Sequence, residues 1–243
     1  MNANMLLILG IAHVAGDYLF QPRCLAEKKA QKLRWLLLHL ALYALAMGAV
    51  FLCVPAGRAW WVWLILAGSH GLIDGLRVLL DRGRRRPGWL LVSFCGDQTL
   101  HLGMLLLCWA LWLRGGASSL LVACSAWPWF RRLLVWTAIL CVIWDPASVL
   151  VRKLFALFPQ QVGSLSGTQA RSGELIGKLE RLIVVALVLA GAASAIGFVL
   201  TAKSVARFKQ FENDPGFSER YLIGTLLSVS TALIAALLLE RLL

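Results

Sequence analysis

The chain has 243 residues, 60% of them apolar and 15% charged, with 11 tryptophans and a formal net charge of +12. This leaves too little polar surface for a soluble domain, so the chain is predicted to be all-α and to cross a membrane repeatedly. The basic residues sit in short clusters between apolar runs and are not interleaved with aromatics, which accounts for the charge as topology signals and excludes nucleic acid as a partner.

A membrane span needs about 20 apolar residues, and seven segments are read as spans: 4–21, 33–54, 60–80, 89–113, 133–151, 181–202 and 221–242. The first lacks a basic leader region and contains His13 and Asp17, so it is expected to remain as a helix and not be cleaved as a signal peptide. The loop after it carries Arg23, Lys28, Lys29, Lys32 and Arg34, and the loop after the third span carries Arg82, Arg84, Arg85 and Arg86. Both are expected on the cytoplasmic side, and the short loops at 55–59 and 114–119 outside. The stretch 114–132, broken by glycines and Pro128, is expected to be an interfacial or re-entrant piece anchored by Trp127 and Trp129. Asp145 before Pro146 reads as a local cap at a helix end or kink. The small-residue run Gly191–Gly197 reads as a close-packing face.

Charge and span order conflict near the C-terminus. Strict alternation puts the basic stretch 203–220 outside, so either one span is misassigned or 118–151 folds as a tight hairpin. The expected organisation is a four-helix unit over 1–115, an interfacial segment and fifth span over 116–157, a polar linker over 158–180 and a two-helix unit over 181–243. Six cysteines, Cys24, Cys53, Cys95, Cys108, Cys124 and Cys141, form no CxxC pair and read as small buried hydrophobes.

The spans carry three polar pairs at a spacing of four: His13 with Asp17, His70 with Asp74, and Asp97 with His101. On a helix that spacing puts both side chains on one face, where they can share a ligand or proton. Ionisable groups in hydrocarbon are costly, so they mark function by default. With His39 on the second span, the helical rise places all seven residues within roughly 6–18 Å of the cytoplasmic boundary. A basic loop between an HxxxD helix and a returning polar helix occurs twice, a faint duplication consistent with two hairpins packed about an approximate two-fold axis. The set of imidazoles and carboxylates suits Zn, Mn or Fe(II). Three readings stay open: a metal-dependent hydrolase with Asp17, Asp74 and Asp97 as catalytic groups, a proton or cation transporter, and a scaffold in which the pairs only lock helices.

The motifs HVAGDYLFQ (13–21), HGLID (70–74) and DQTLH (97–101), with His39, resemble the bacterial membrane family called domain of unknown function 3307. GELIGKLER (173–181), AKSVARF (202–208) and YLIGTLLS (221–228) resemble the extended form of that family with C-terminal helices. The resemblance implies a multi-pass protein of the bacterial inner membrane. By motif position it adds Gly16, Gln21 and Gln98 to the candidate site. It also marks Glu180, Arg181, Lys203, Ser204 and Arg207 as a second cluster, for which contact with anionic lipid headgroups or a partner is expected.

Overall fold

Helix α4 (Trp60–Asp81) shows how the sequence builds the first unit. Its buried residues, Val62, Leu66, His70 and Asp74, recur every fourth position, so one stripe begins apolar and ends polar. The same gradient runs along α1 (Ala3–Val14) through Met5, Leu9 and His13, and in the reverse chain direction along α3 (Leu33–Phe51) through His39, Tyr43 and Met47. Helix α5 (Pro87–Cys108) carries Asp97, His101, Leu105 and Cys108 in the same reversed order. Helix α1 packs on α3 and α5, α3 on α4, and α4 on α5, which closes a ring of four helices around these stripes. Met5, Leu9, Met47, Leu66 and Leu105 fill the apolar layer of its core. The seven His and Asp side chains fill the other layer, all buried.

The computed structural model describes residues 3–51, 60–114, 119–158, 167–213 and 215–241. Among these the chain is helical without strands: α1, α2 (Arg23–Lys29), α3, α4, α5, α6 (Ser119–Ser125), α7 (Phe130–Phe155), α8 (Gly167–Leu189), α9 (Ala195–Ala206), α10 (Phe208–Asn213) and α11 (Pro215–Glu240). Helix α1 continues through a π-helical turn at Ala15–Leu19, and α5 through another at Trp109–Leu113. The expected loop 55–59, Cys53 and the first part of the expected linker lie outside the described residues. The chain divides into two compact units, Met1–Cys141 and Val142–Leu243, with the boundary inside α7.

Outward faces are apolar. Leu45, Leu72, Leu79 and Val92 are exposed on α3, α4 and α5, and Phe198 is 77% exposed on α9, a distribution suited to lipid and not to water. Among the described residues, five helical segments are long and apolar enough to cross a membrane: Leu33–Phe51, Trp60–Asp81, Pro87–Leu113, Phe130–Phe155 and Gly216–Leu238. The expected seven differ from these at two places. The first, Ala3–Leu19, is a shorter apolar helix. The segment 181–202 is not one helix: α8 ends in a Schellman motif, with Gly191 at φ +70°, Ala192 N–H donating to Leu187 O at 2.8 Å and Gly191 N–H to Val188 O at 3.0 Å. The chain then folds back, since Lys203 on α9 reaches Glu180 on α8 at 2.7 Å. Gly191 thus serves as a helix stop where a packing face was expected.

Helix α8 already begins at Gly167, inside the stretch expected as linker. It packs along α11, and Val184, Val185, Val229, Ala232 and Ala236 are buried in that unit. Helix α7 runs unbroken through 130–155, which removes the hairpin considered for 118–151. The cysteine reading also needs correction: Cys108 is buried, whereas Cys24 and Cys95 are exposed, the latter on the lipid-side face of α5.

Candidate metal centre

Four atoms from two spans, α3 and α4, and from the turn that continues α1 converge in the polar layer. His39 Nε2 lies 3.0 Å from Asp74 Oδ2, 3.2 Å from His70 Nε2 and 3.4 Å from Asp17 Oδ1. His70 Nε2 lies 3.8 Å from Asp74 Oδ2 and 4.0 Å from Asp17 Oδ1. A neutral imidazole carries one N–H, so a single proton on His39 cannot satisfy three neighbours at once. A cation can. Ligands bound at about 2.0–2.1 Å around a tetrahedral zinc stand about 3.3 Å apart, and these five separations bracket that value. The donor set of two imidazole nitrogens and two carboxylate oxygens therefore fits a divalent ion.

A second group adjoins the first. Asp74, Asp97 and His101 each offer a ligand atom within 4.8 Å of the others, and the His70 and His101 ring centroids are 4.3 Å apart. His13 belongs to neither group: its ring lies 5.3 Å from that of His101, its Nδ1 is 3.2 Å from Tyr43 Oη, and its Nε2 has no hydrogen-bond partner.

The carboxylates are aimed by neighbours. Gln98 Nε2 donates to Asp17 Oδ2 at 3.1 Å and to Asp97 Oδ2 at 3.0 Å, and Arg77 Nη1 also donates to Asp97 Oδ2, at 2.9 Å. The outer oxygens are thereby occupied, leaving Asp17 Oδ1 toward the two imidazoles and Asp97 Oδ1 without a hydrogen-bond partner. Such outer contacts fix ligand orientation at metal sites. Tyr43 stacks on His70 at 3.5 Å with an interplanar angle of 4°, which sets that ring's plane. Gly16 makes the approach of α1 to α3 possible: a Cβ there would stand 2.9 Å from Tyr43 Cδ2. Gln21 contributes no contact to the groups; its Oε1 is buried without a partner.

Tyr43, Lys29 and Arg77 belong to the site, although the sequence reading did not select them. Lys29 Nζ lies 2.7 Å from Asp74 Oδ2. In sequence it belongs to the basic loop after the first span and reads as a topology charge. Arg77 stands within an apolar run three residues after Asp74, and Tyr43 four after His39; the helical spacing that selected the His and Asp pairs would have found both.

The second cluster forms in the other unit, with Arg207 apart. Arg181, 3% exposed, donates through Nε to Ile143 O at 2.7 Å, through Nη2 to Trp144 O at 3.3 Å and to Ser148 Oγ, and through Nη1 to Ser228 Oγ at 3.2 Å. Pro146 lacks an N–H and so interrupts the hydrogen-bond ladder of α7 beside these carbonyls. Lys203 joins Glu180 to Thr225, and Ser204 lies 3.3 Å from Tyr221 Oη. Arg207 bonds to Gln210 instead. Asp145 is held by Lys178 at 2.5 Å, an ion pair where a local cap was expected.

Apolar outward faces around a buried His and Asp centre define a helical membrane protein. The family described as protein of unknown function (DUF3307) matches residues 5–130, just over half of the chain and all seven His and Asp positions, and the chain belongs to that family. No curated protein and no solved structure matches it.

Proposed function

We propose that this is a multi-pass protein of the bacterial inner membrane whose first unit holds a divalent metal, Zn, Mn or Fe, near the cytoplasmic leaflet and hydrolyses a lipid or other amphiphile. The observation that carries the reading is the convergence of Asp17 Oδ1, His39 Nε2, His70 Nε2 and Asp74 Oδ2 at 3.0–4.0 Å. A bound divalent ion supplies Lewis acidity and lowers the pKa of water in a layer that excludes bulk solvent. Asp97 Oδ1, buried and without a hydrogen-bond partner, is placed to take a proton, and His13 Nε2 to pass one on. Lys29 and Arg77 pair directly with Asp74 and Asp97 and so offset part of the buried negative charge.

Transport is the weaker reading. The imidazoles of His39, His70, His101 and His13 adjoin one another, but the residues next along the same buried stripes, Leu9, Met47, Leu66 and Leu105, are apolar and offer an ion no ligand. The deciding measurement is the metal content of detergent-purified wild type beside His39→Ala and His70→Ala. Bound metal in the wild type, lost in both folded variants, supports the proposal; its absence from folded protein supplied with zinc, manganese and iron overturns it.

A further inference from the structure

We infer that the centre holds two metal ions, the second bound by Asp74, Asp97 and His101. This rests on the proposal that the first group binds metal. Asp97 and His101 are 4% and 3% exposed, and the three residues each present a ligand atom within 4.8 Å of the others. Hydrogen bonds do not account for the arrangement. Asp97 Oδ2 is occupied by Arg77 and Gln98, yet Asp97 Oδ1 has no hydrogen-bond partner, and neither has either ring nitrogen of His101. The closest approach between them, His101 Nδ1 to Asp97 Oδ1, is 3.8 Å, too long for a hydrogen bond and suitable for two ligands of one ion.

Buried polar atoms in proteins are ordinarily paired. Three unpaired atoms on two adjacent side chains, one turn apart on α5, therefore point to a missing shared partner that accepts lone pairs from both oxygen and nitrogen. A cation meets that description. Asp74 is common to the two groups, and a carboxylate has two oxygens, enough to serve an ion on each side. The two sets also differ in a way that divides their labour. Asp17, His39, His70 and Asp74 would supply four donors to one ion, whereas Asp74, Asp97 and His101 would supply three to the other, the protein-ligand count found in catalytic sites. Asp97 thus changes role, from proton acceptor in a one-ion centre to metal ligand in a two-ion centre.

The test is manganese stoichiometry and low-temperature electron paramagnetic resonance on the full-length protein in detergent, stripped with EDTA and reloaded with MnCl2. Wild type, Asp97→Asn, His101→Gln and His39→Ala are compared after size exclusion. Two equivalents in wild type with an exchange-coupled signal are expected, falling to one equivalent with an isolated Mn(II) signal in Asp97→Asn and His101→Gln. One equivalent in wild type that Asp97→Asn leaves unchanged overturns the second ion and keeps the first. One equivalent that survives His39→Ala but not His101→Gln overturns the two-ion centre and the four-donor site together. No manganese in wild type overturns both for this ion. Should either α5 variant fail to fold, the wild-type count and signal decide alone.

Discussion

Lys29 Nζ lies 2.7 Å from Asp74 Oδ2, so a lysine from the short helix α2 enters the polar layer and rests on an oxygen that His39 Nε2 also approaches. Its side chain is only 11% exposed. Removing one partner of a buried pair costs about 3–5 kcal/mol because the other charge is left uncompensated. Lys29→Met is therefore expected to lower stability by about 3 kcal/mol without metal, and added zinc is expected to recover most of that loss. Thermal unfolding in detergent, with and without zinc, checks it. Equal metal responses in wild type and variant would show that Lys29 and the ion do not share Asp74.

Gly16→Ala tests the packing that sets the His70 ring. The new Cβ meets Tyr43 Cδ2 at 2.9 Å, and Tyr43 cannot yield without disturbing the stack on His70. A loss of about 1–3 kcal/mol is expected, as for other overpacked sites. Gly10→Ala is the control, since nothing lies within 4 Å of its added methyl, and it is expected to be neutral or stabilising by up to about 1 kcal/mol. Unfolding midpoints of the two variants should separate clearly.

Gln98→Leu removes the amide that holds the outer oxygens of Asp17 and Asp97. Metal affinity is expected to fall about 10–100-fold while the helices remain, the usual cost of losing an outer support. Competition against a chromogenic chelator reads the change, and an unaltered affinity would show that the carboxylates orient themselves.

Arg181 makes one side chain serve three helices, α7, α8 and α11. Arg181→Lys is expected to destabilise almost as much as Arg181→Leu, because an ammonium cannot present the guanidinium's fork to two carbonyls and two hydroxyls. Ser228→Ala removes one of these contacts and should cost only about 0.6 kcal/mol. Rescue of Arg181→Leu by Arg181→Lys would show that charge alone is needed there.

Thiol labelling tests the membrane placement. Cys24 on α2 and Cys95 on α5 are both exposed, but only Cys95 lies within an apolar span. In sealed vesicles of single-cysteine variants, a water-soluble maleimide is expected to label Cys24 and to spare Cys95 until the membrane is dissolved and the protein denatured. Because α9 returns along α8, Lys153→Cys and Lys209→Cys are expected to label from the same face of the vesicle as each other. Labelling from opposite faces would require the chain to cross fully between them.

The sequence reading located the site because costly residues in apolar runs have few explanations, and helical spacing turned three pairs and His39 into one layer. It passed over Lys29, because a basic residue in a loop has a cheaper explanation as a topology signal, and nothing local shows that α2 leans it back onto Asp74. The break at Gly191 was missed for a different reason. Apolar content alone does not separate one long helix from a helix that stops and returns, and the stop depends on a single residue able to take φ +70°. With that break in place, α9 brings Lys203 back beside Glu180 on α8, where an unbroken helix over 181–202 would have carried it to the far end.

The π-helical turn at Ala15–Leu19 begins two residues after His13 and contains Asp17, closed by Phe20 N–H donating to Ala15 O at 2.9 Å, five residues back. Such turns arise where one residue more than the α-helical repeat is accommodated, and each residue of an α-helix turns the chain by about 100°. The turn is thus a phase adjuster for the chain beyond it, since a spacing of four keeps His13 and Asp17 on one face as it does His70 and Asp74 on α4. A chain one residue shorter between Asp17 and Phe20 would run on as an α-helix and keep both groups together, but it would swing the entry to α2, the helix that carries Lys29 onto Asp74. Length variation there should accordingly be felt at the lysine before it is felt in the ligand set.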